Sequence, residues 1–141
     1  MRSSPGRPGS ALALSLRLGT AYDWIFAAAI LAAPRPLMEA LHFPPPADPF
    51  LFKVSAMPLV FFPFVYLAAA ADPVGRPWAV RISLAFRLAG GLMLGGLALW
   101  LRPAGLHMFL TTMCVDLAWG AVHAALWRRV PTTSSCRRRS R

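Results

Sequence analysis

The sequence predicts an all-α protein: a bundle of four transmembrane helices running up-down-up-down, with both termini cytoplasmic. Three observations carry that reading. Hydrophobic residues make up 57% of the 141 residues and charged ones only 14%, whereas a soluble domain carries about a quarter charged residues. Four apolar stretches each run to roughly 20 residues or more, enough to cross a hydrocarbon core about 30 Å thick. The net charge of +10 comes from arginines at the chain ends and in short loops, with long uncharged runs between them. That distribution is a topology signal before it is a sign of nucleic-acid binding.

Residues 1–10, MRSSPGRPGS, are rich in Gly, Pro, Ser and Arg and read as a disordered tail. The membrane domain covers 11–127, and its first span is 11–33, closed by Pro34 and Pro36. Within it, WIFAAAILAA has the look of a signal-peptide core. The proline directly after that run, and Arg17 and Asp23 before or within the longer stretch, favour a retained helix. Residues 37–43, LMEALHF, read as one amphipathic turn, and PPPADP as an extended loop. The second span, 50–71, should be kinked by Pro58 and Pro63, which membrane helices tolerate where neighbours satisfy the freed carbonyls. DPVGRPW, 72–78, is a turn. The third span is 80–101, ended by Arg102-Pro103, and a short loop joins it to the fourth, 105–127, as a hairpin. Residues 128–141 form a basic tail read as disordered.

Orientation follows from the basic residues. Four spans place the N-terminus, the 72–78 loop and the tail on one side, with eleven arginines; Arg35, Lys53 and Arg102 lie on the other. Positive charge accumulates on the cytoplasmic side. Trp78, Trp100 and Trp127 fall at span ends, where indole rings settle among headgroups.

Asp23, Arg87, Asp116 and His123 are the ionisable residues deep within apolar spans. Exposing such groups to lipid costs at least ~2.5–3.5 kcal/mol, so they should face inward and pair. Arg87 precedes Pro103 by 16 residues and Asp116 follows it by 13, a mismatch of about 4.5 Å that an arginine side chain spans. Asp23 sits at a comparable depth, so one arginine and two acids should share a level. On the fourth helix Asp116, Trp119, Gly120 and His123 make a polar and aromatic seam. On the third, Gly91 and Gly95 form a G-x-x-x-G step that admits a close helix neighbour.

The reading favoured for the cluster is an Arg–Asp bridge that locks helix register. The sharper alternative is a net negative, proton-accepting site from which a short proton or cation path runs past His123. His123 alone is more often an interfacial residue than a ligand, and Lys53 and His42 at the opposite interface need no function. Cys114 and Cys136 show no metal-ligand spacing and no C-x-x-C pattern. No nucleotide-binding, hydrolase or metalloprotease motif is present. The sequence therefore assigns no catalytic, cofactor-binding or metal-binding residue.

The patterns G-x-x-Y-D (Gly19 to Asp23), A-A-P at the end of the first span, A-x-D-P (Ala70 to Pro73) and D-L-x-W (Asp116 to Trp119) resemble small bacterial four-helix membrane proteins of broadly DoxX-like type. The resemblance covers about 11–127 and implies a four-helix bundle in a bacterial inner membrane, with no settled activity. The function expected is that of a non-enzymatic accessory or self-associating bundle. A small transporter or binder of a lipophilic molecule is the second reading, and a membrane enzyme the third. Expected partners are membrane lipids and either further copies or a larger membrane complex; no nucleic-acid partner is expected.

Overall fold

The structure, a computed structural model, describes residues 9–42, 48–103 and 106–130. All regular structure among them is helical. The expected tails lie outside the described residues except at their inner ends, where Ser10 belongs to the first helix and Arg128 to the last. Most of the PPPADP loop also lies outside them.

Helix α1 spans Ser10–Ala32 and buries Leu12, Leu16, Gly19, Thr20, Asp23, Ala27 and Ile30. Those positions recur every three or four residues, which puts them on one face of a 3.6-residue helix. Ala33 leaves helical geometry at φ −135°, ψ 57°, because the ring of Pro34 disfavours helical geometry in the residue before it. The same proline then opens α2, Pro34–Ala40, since the first helical position needs no N–H. Prolines expected only to end a span thus also begin the next helix, and the turn foreseen at 37–43 starts at Pro34.

The second span differs from expectation. It is split into α3, Pro49–Val54, and α4, Met57–Ala71. The break falls at Ser55–Ala56, ahead of Pro58. Pro58 has no N–H for the Val54 carbonyl, and its ring crowds that carbonyl. The chain tightens before it instead. The Ser55 and Ala56 N–H groups donate to Phe52 and Lys53 carbonyls three residues back, at 3.2 and 3.0 Å, and the Ser55 hydroxyl donates to Phe52 O at 2.6 Å. Pro58 then sits in the first turn of α4, while Pro63 stays inside that helix and is buried.

Helix α5, Pro77–Leu101, again opens on a proline and ends at Arg102, whose left-handed φ of 45° turns the chain. Helix α6 is Leu106–Arg128. Among the described residues, four segments are long and apolar enough to cross a membrane: Ser10–Ala32, Phe52–Ala71, Pro77–Leu101 and Leu106–Arg128.

Two apolar clusters bracket the interior. One joins Leu12 and Leu16 of α1 to Tyr66, Ala69 and Ala70 of α4 and Ala79 and Val80 of α5, with Leu126 and Trp127 of α6 against it. The other joins Ala27 and Ile30 to Ala56. Phe62 stacks on Phe86 with centroids 4.1 Å apart, tying α4 to α5. Helices α5 and α6 meet through glycines. A Cβ on Gly91 would lie 3.1 Å from Asp116 Cβ, and one on Gly95 would strike Met113. One on Gly120 would lie 2.7 Å from a Leu88 methyl. Between the two clusters, measured along α1, lie the buried side chains of Thr20 and Asp23.

Candidate functional site

Arg87 organises that level. It follows Ser83 and precedes Gly91 and Gly95 on the buried stripe of α5, so its side chain starts inside the bundle. One terminal nitrogen donates to Asp116 Oδ1 at 2.6 Å, and the other to Asp23 Oδ2 at 2.8 Å. The second nitrogen also approaches the Gly19 carbonyl at 3.4 Å. Asp116 is level with Gly91, one turn along α5 from Arg87, and the arginine bridges that offset by lying along the helix. Gly19 makes room for it: a Cβ there would be 3.3 Å from the guanidinium and 3.6 Å from Trp119 Nε1.

Aromatic rings enclose the guanidinium. Its carbon lies 5.0 Å from the centroid of Tyr66 and 5.9 Å from that of Trp119, distances at which a cation is drawn to a ring quadrupole. Trp119 continues to Tyr22, with centroids 5.9 Å apart, and meets His123 edge-on at 6.4 Å. Arg87, Asp23 and His123 are all buried, whereas the Asp116 side chain keeps 21% of its surface.

The cluster is not fully satisfied. Asp23 Oδ1, Arg87 Nε and Trp119 Nε1 are buried without a hydrogen-bond partner among the described residues, and the buried His123 ring lies against the Ser15 backbone. Such groups cost about 1–3 kcal/mol each when left alone. Charge is also unbalanced, with one guanidinium set against two carboxylates.

The structure therefore places Asp23, Arg87 and Asp116 in one hydrogen-bonded group. Trp119 packs over that group, His123 stands beside Trp119, and Gly91 and Gly95 lie at the α5–α6 contact. Three contributors escaped the sequence reading. Gly19 supplies a carbonyl and a gap. Tyr22 extends the aromatic wall. Tyr66 forms the ring under the arginine. Gly19 and Tyr22 were visible as part of G-x-x-Y-D, and Tyr66 as the one phenol in an otherwise aliphatic and Phe-rich span. Among the described residues no group of three His, Cys, Asp or Glu side chains is placed to hold a metal ion. Cys114 is a free thiol on an exposed face of α6.

Beside the cluster, a groove of about 360 Å³ opens between α1 and α6, lined by Ser15, Val115, Ala118, Trp119 and Val122. Comparison with known proteins adds no relative: no family model, curated protein or solved structure matches the chain.

Proposed function

We propose that this is a small integral membrane protein with a non-enzymatic role, as an accessory subunit or a self-associating bundle. The observation that carries the reading is the commitment of Arg87: its two terminal nitrogens are engaged by carboxylates from two other helices. A cation tied in that way serves to join α1, α5 and α6, as register-setting ion pairs do.

The proposed topology is up-down-up-down in a bacterial inner membrane, as the DoxX-like resemblance implies, with both ends in the cytoplasm. Contacts in opposite chain order support it. Leu12 and Leu16 share a cluster with Tyr66 to Ala70, while Ala27 and Ile30 share one with Ala56. Gly91 and Gly95 face Asp116 and Met113 in reversed order. Gly9 approaches both Pro73 and Val130, which gathers the start of α1, the α4–α5 turn and the end of α6 at one end. That is the arginine-rich end, hence the cytoplasmic one.

The test is a pair of variants compared by folded yield in mild detergent. Arg87→Leu leaves two carboxylates without a counter-charge and should lose most of the folded protein, a penalty of about 3–5 kcal/mol. The triple replacement of Arg87, Asp23 and Asp116 by leucine should recover much of that loss. A single variant that folds as well as wild type would remove the structural reading.

A further inference from the structure

We propose that the end of the bundle where Gly9 meets Pro73 and Val130 binds the phosphate of an acidic phospholipid headgroup through Arg76, Arg81, Arg128 and Arg129. The inference rests on the membrane reading above and holds for either direction of insertion. Helices α5 and α6 stay paired along their length: Gly95 faces Met113, Gly91 faces Asp116, and Leu88 faces Gly120. The pairing continues to this end, where the Arg81 guanidinium lies 5.7 Å from the centre of the Trp127 ring. Arg128 and Arg129 directly follow that tryptophan, and Arg76 directly precedes α5. The step from Arg76 to Arg81 sets the depth of this band at about 8 Å. All four arginines are exposed. None of them forms an ion pair among the described residues, where the ion pairs belong to Arg87. The acid at this end is Asp72, and its carboxylate accepts the Gly75 N–H at 2.8 Å. Four guanidiniums thus stand beside one carboxylate that is engaged in its own turn.

Orientation alone does not require this arrangement, because basic residues serve it anywhere within about 15–20 residues of a span. Here they are gathered on two paired helices, and one is held against an indole face, which draws a cation and leaves its fork less freedom to lose on binding. That fork matches phosphate oxygens in pairs. Depth selects the source of the phosphate. Trp78, 55% exposed, and Trp127 lie in the same band, and indole rings settle at the level of the headgroups, where a phospholipid carries its phosphate. The arginines are exposed rather than set in a cleft, so a free phosphate ion gives up more freedom on binding than a lipid already confined to the membrane.

Native mass spectrometry of the full chain in a neutral detergent tests the site, with phosphatidylglycerol and phosphatidylcholine of matched acyl chains added in equal amounts. Wild type should hold phosphatidylglycerol roughly twentyfold or more over phosphatidylcholine, since several arginines act together. Arg81→Gln should cut that preference about fivefold, the effect of one arginine at an anionic surface. The Arg128→Gln/Arg129→Gln pair should cut it further. Arg35→Gln removes the same charge from the far end and should leave the preference unchanged. These arginines are exposed, so each variant should keep the wild-type melting profile, and the double variant decides should Arg81→Gln lose it. Neither a large excess of inorganic phosphate nor a short DNA duplex should displace the lipid. Displacement by either would overturn the proposal, as would equal loss from Arg35→Gln or a preference untouched by both cytoplasmic-end variants. A chain soluble without detergent would sink this proposal and the membrane reading together. Lost lipid preference in a chain that needs detergent sinks the proposal alone, and the Arg87→Leu yield still decides the role of the buried cluster.

Discussion

Arg87 is held by geometry that a shorter or differently shaped cation cannot reproduce. Its two terminal nitrogens diverge toward Asp23 and Asp116, 2.8 and 2.6 Å away, and its flat face lies over Tyr66. Lysine carries the charge as a single point and cannot bridge two carboxylates on different helices in the same way. Arg87→Lys should therefore keep only part of the folded yield, above Arg87→Leu and clearly below wild type. Tyr66 is 2% exposed and contributes chiefly a ring. Tyr66→Phe should shift the thermal midpoint in detergent by little, whereas Tyr66→Ala should lose about 3–5 kcal/mol through the cavity it leaves. If Phe is as damaging as Ala, the ring contact is not what matters there. These residues also show what a sequence exposes. A charge in an apolar span is costly enough to announce that it needs a partner, and helical rise alone brings Arg87, Asp23 and Asp116 to one level. An aromatic ring in a span is cheap in lipid, so nothing marked Tyr66 as interior. Gly19 was hidden for a related reason, since its role is a carbonyl and a missing methyl.

At the scale of elements, glycines decide which helix faces touch. Gly90 and Gly91 are adjacent, yet only Gly91 meets a neighbour: nothing lies within 4 Å of a Cβ built on Gly90 or Gly96, while one on Gly91 meets Asp116 and the Met113 carbonyl. Bulk on the open face costs nothing in contact and replaces glycine with a better helix former. Gly90→Leu and Gly96→Leu should thus match or slightly exceed wild type in thermal midpoint. Gly91→Leu and Gly120→Leu should destabilise strongly, because α5 and α6 must move apart around the Arg87–Asp116 bridge. Equal effects from Gly90 and Gly91 would show that the faces are assigned wrongly. Proline chemistry explains where element boundaries were and were not legible. Pro34 and Pro103 stand at breaks that the sequence marks plainly. The interruption at Ser55–Ala56 was misplaced by a few residues, because a proline disrupts the carbonyl four residues earlier in the chain. The apolar character of 50–71 is continuous across that break, so hydropathy alone draws a single span.

The molecule as a whole is asymmetric in charge from one end of the bundle to the other. Gly9, Pro73 and Val130 meet at one end. Near that end lie Arg76, Arg81, Arg128 and Arg129, all exposed, and the further tail arginines 137, 138, 139 and 141 follow in sequence. Arg35, Lys53 and Arg102 belong to the other end. An excess of this size sets orientation during insertion, since basic residues close to a span resist translocation. The native thiol Cys136 lies in the basic tail and reports directly on that side. A membrane-impermeant maleimide should leave Cys136 unlabelled in intact spheroplasts and label it after permeabilisation. On a Cys136→Ser background, Val74→Cys in the α4–α5 turn should behave in the same way. Arg102→Cys, at the opposite end, should label without permeabilisation, and it removes only one of the few positive charges on its side. Cys114, in the middle of α6, provides the internal control for reagent reaching the membrane interior. If Cys136 and the cysteine at 74 label from outside while that at 102 does not, the bundle is inverted, and the arginines are serving something other than orientation. If Cys136 and the cysteine at 74 label from different sides, a span has failed to cross. The split at Ser55–Ala56 makes Phe52–Ala71 the segment to question first.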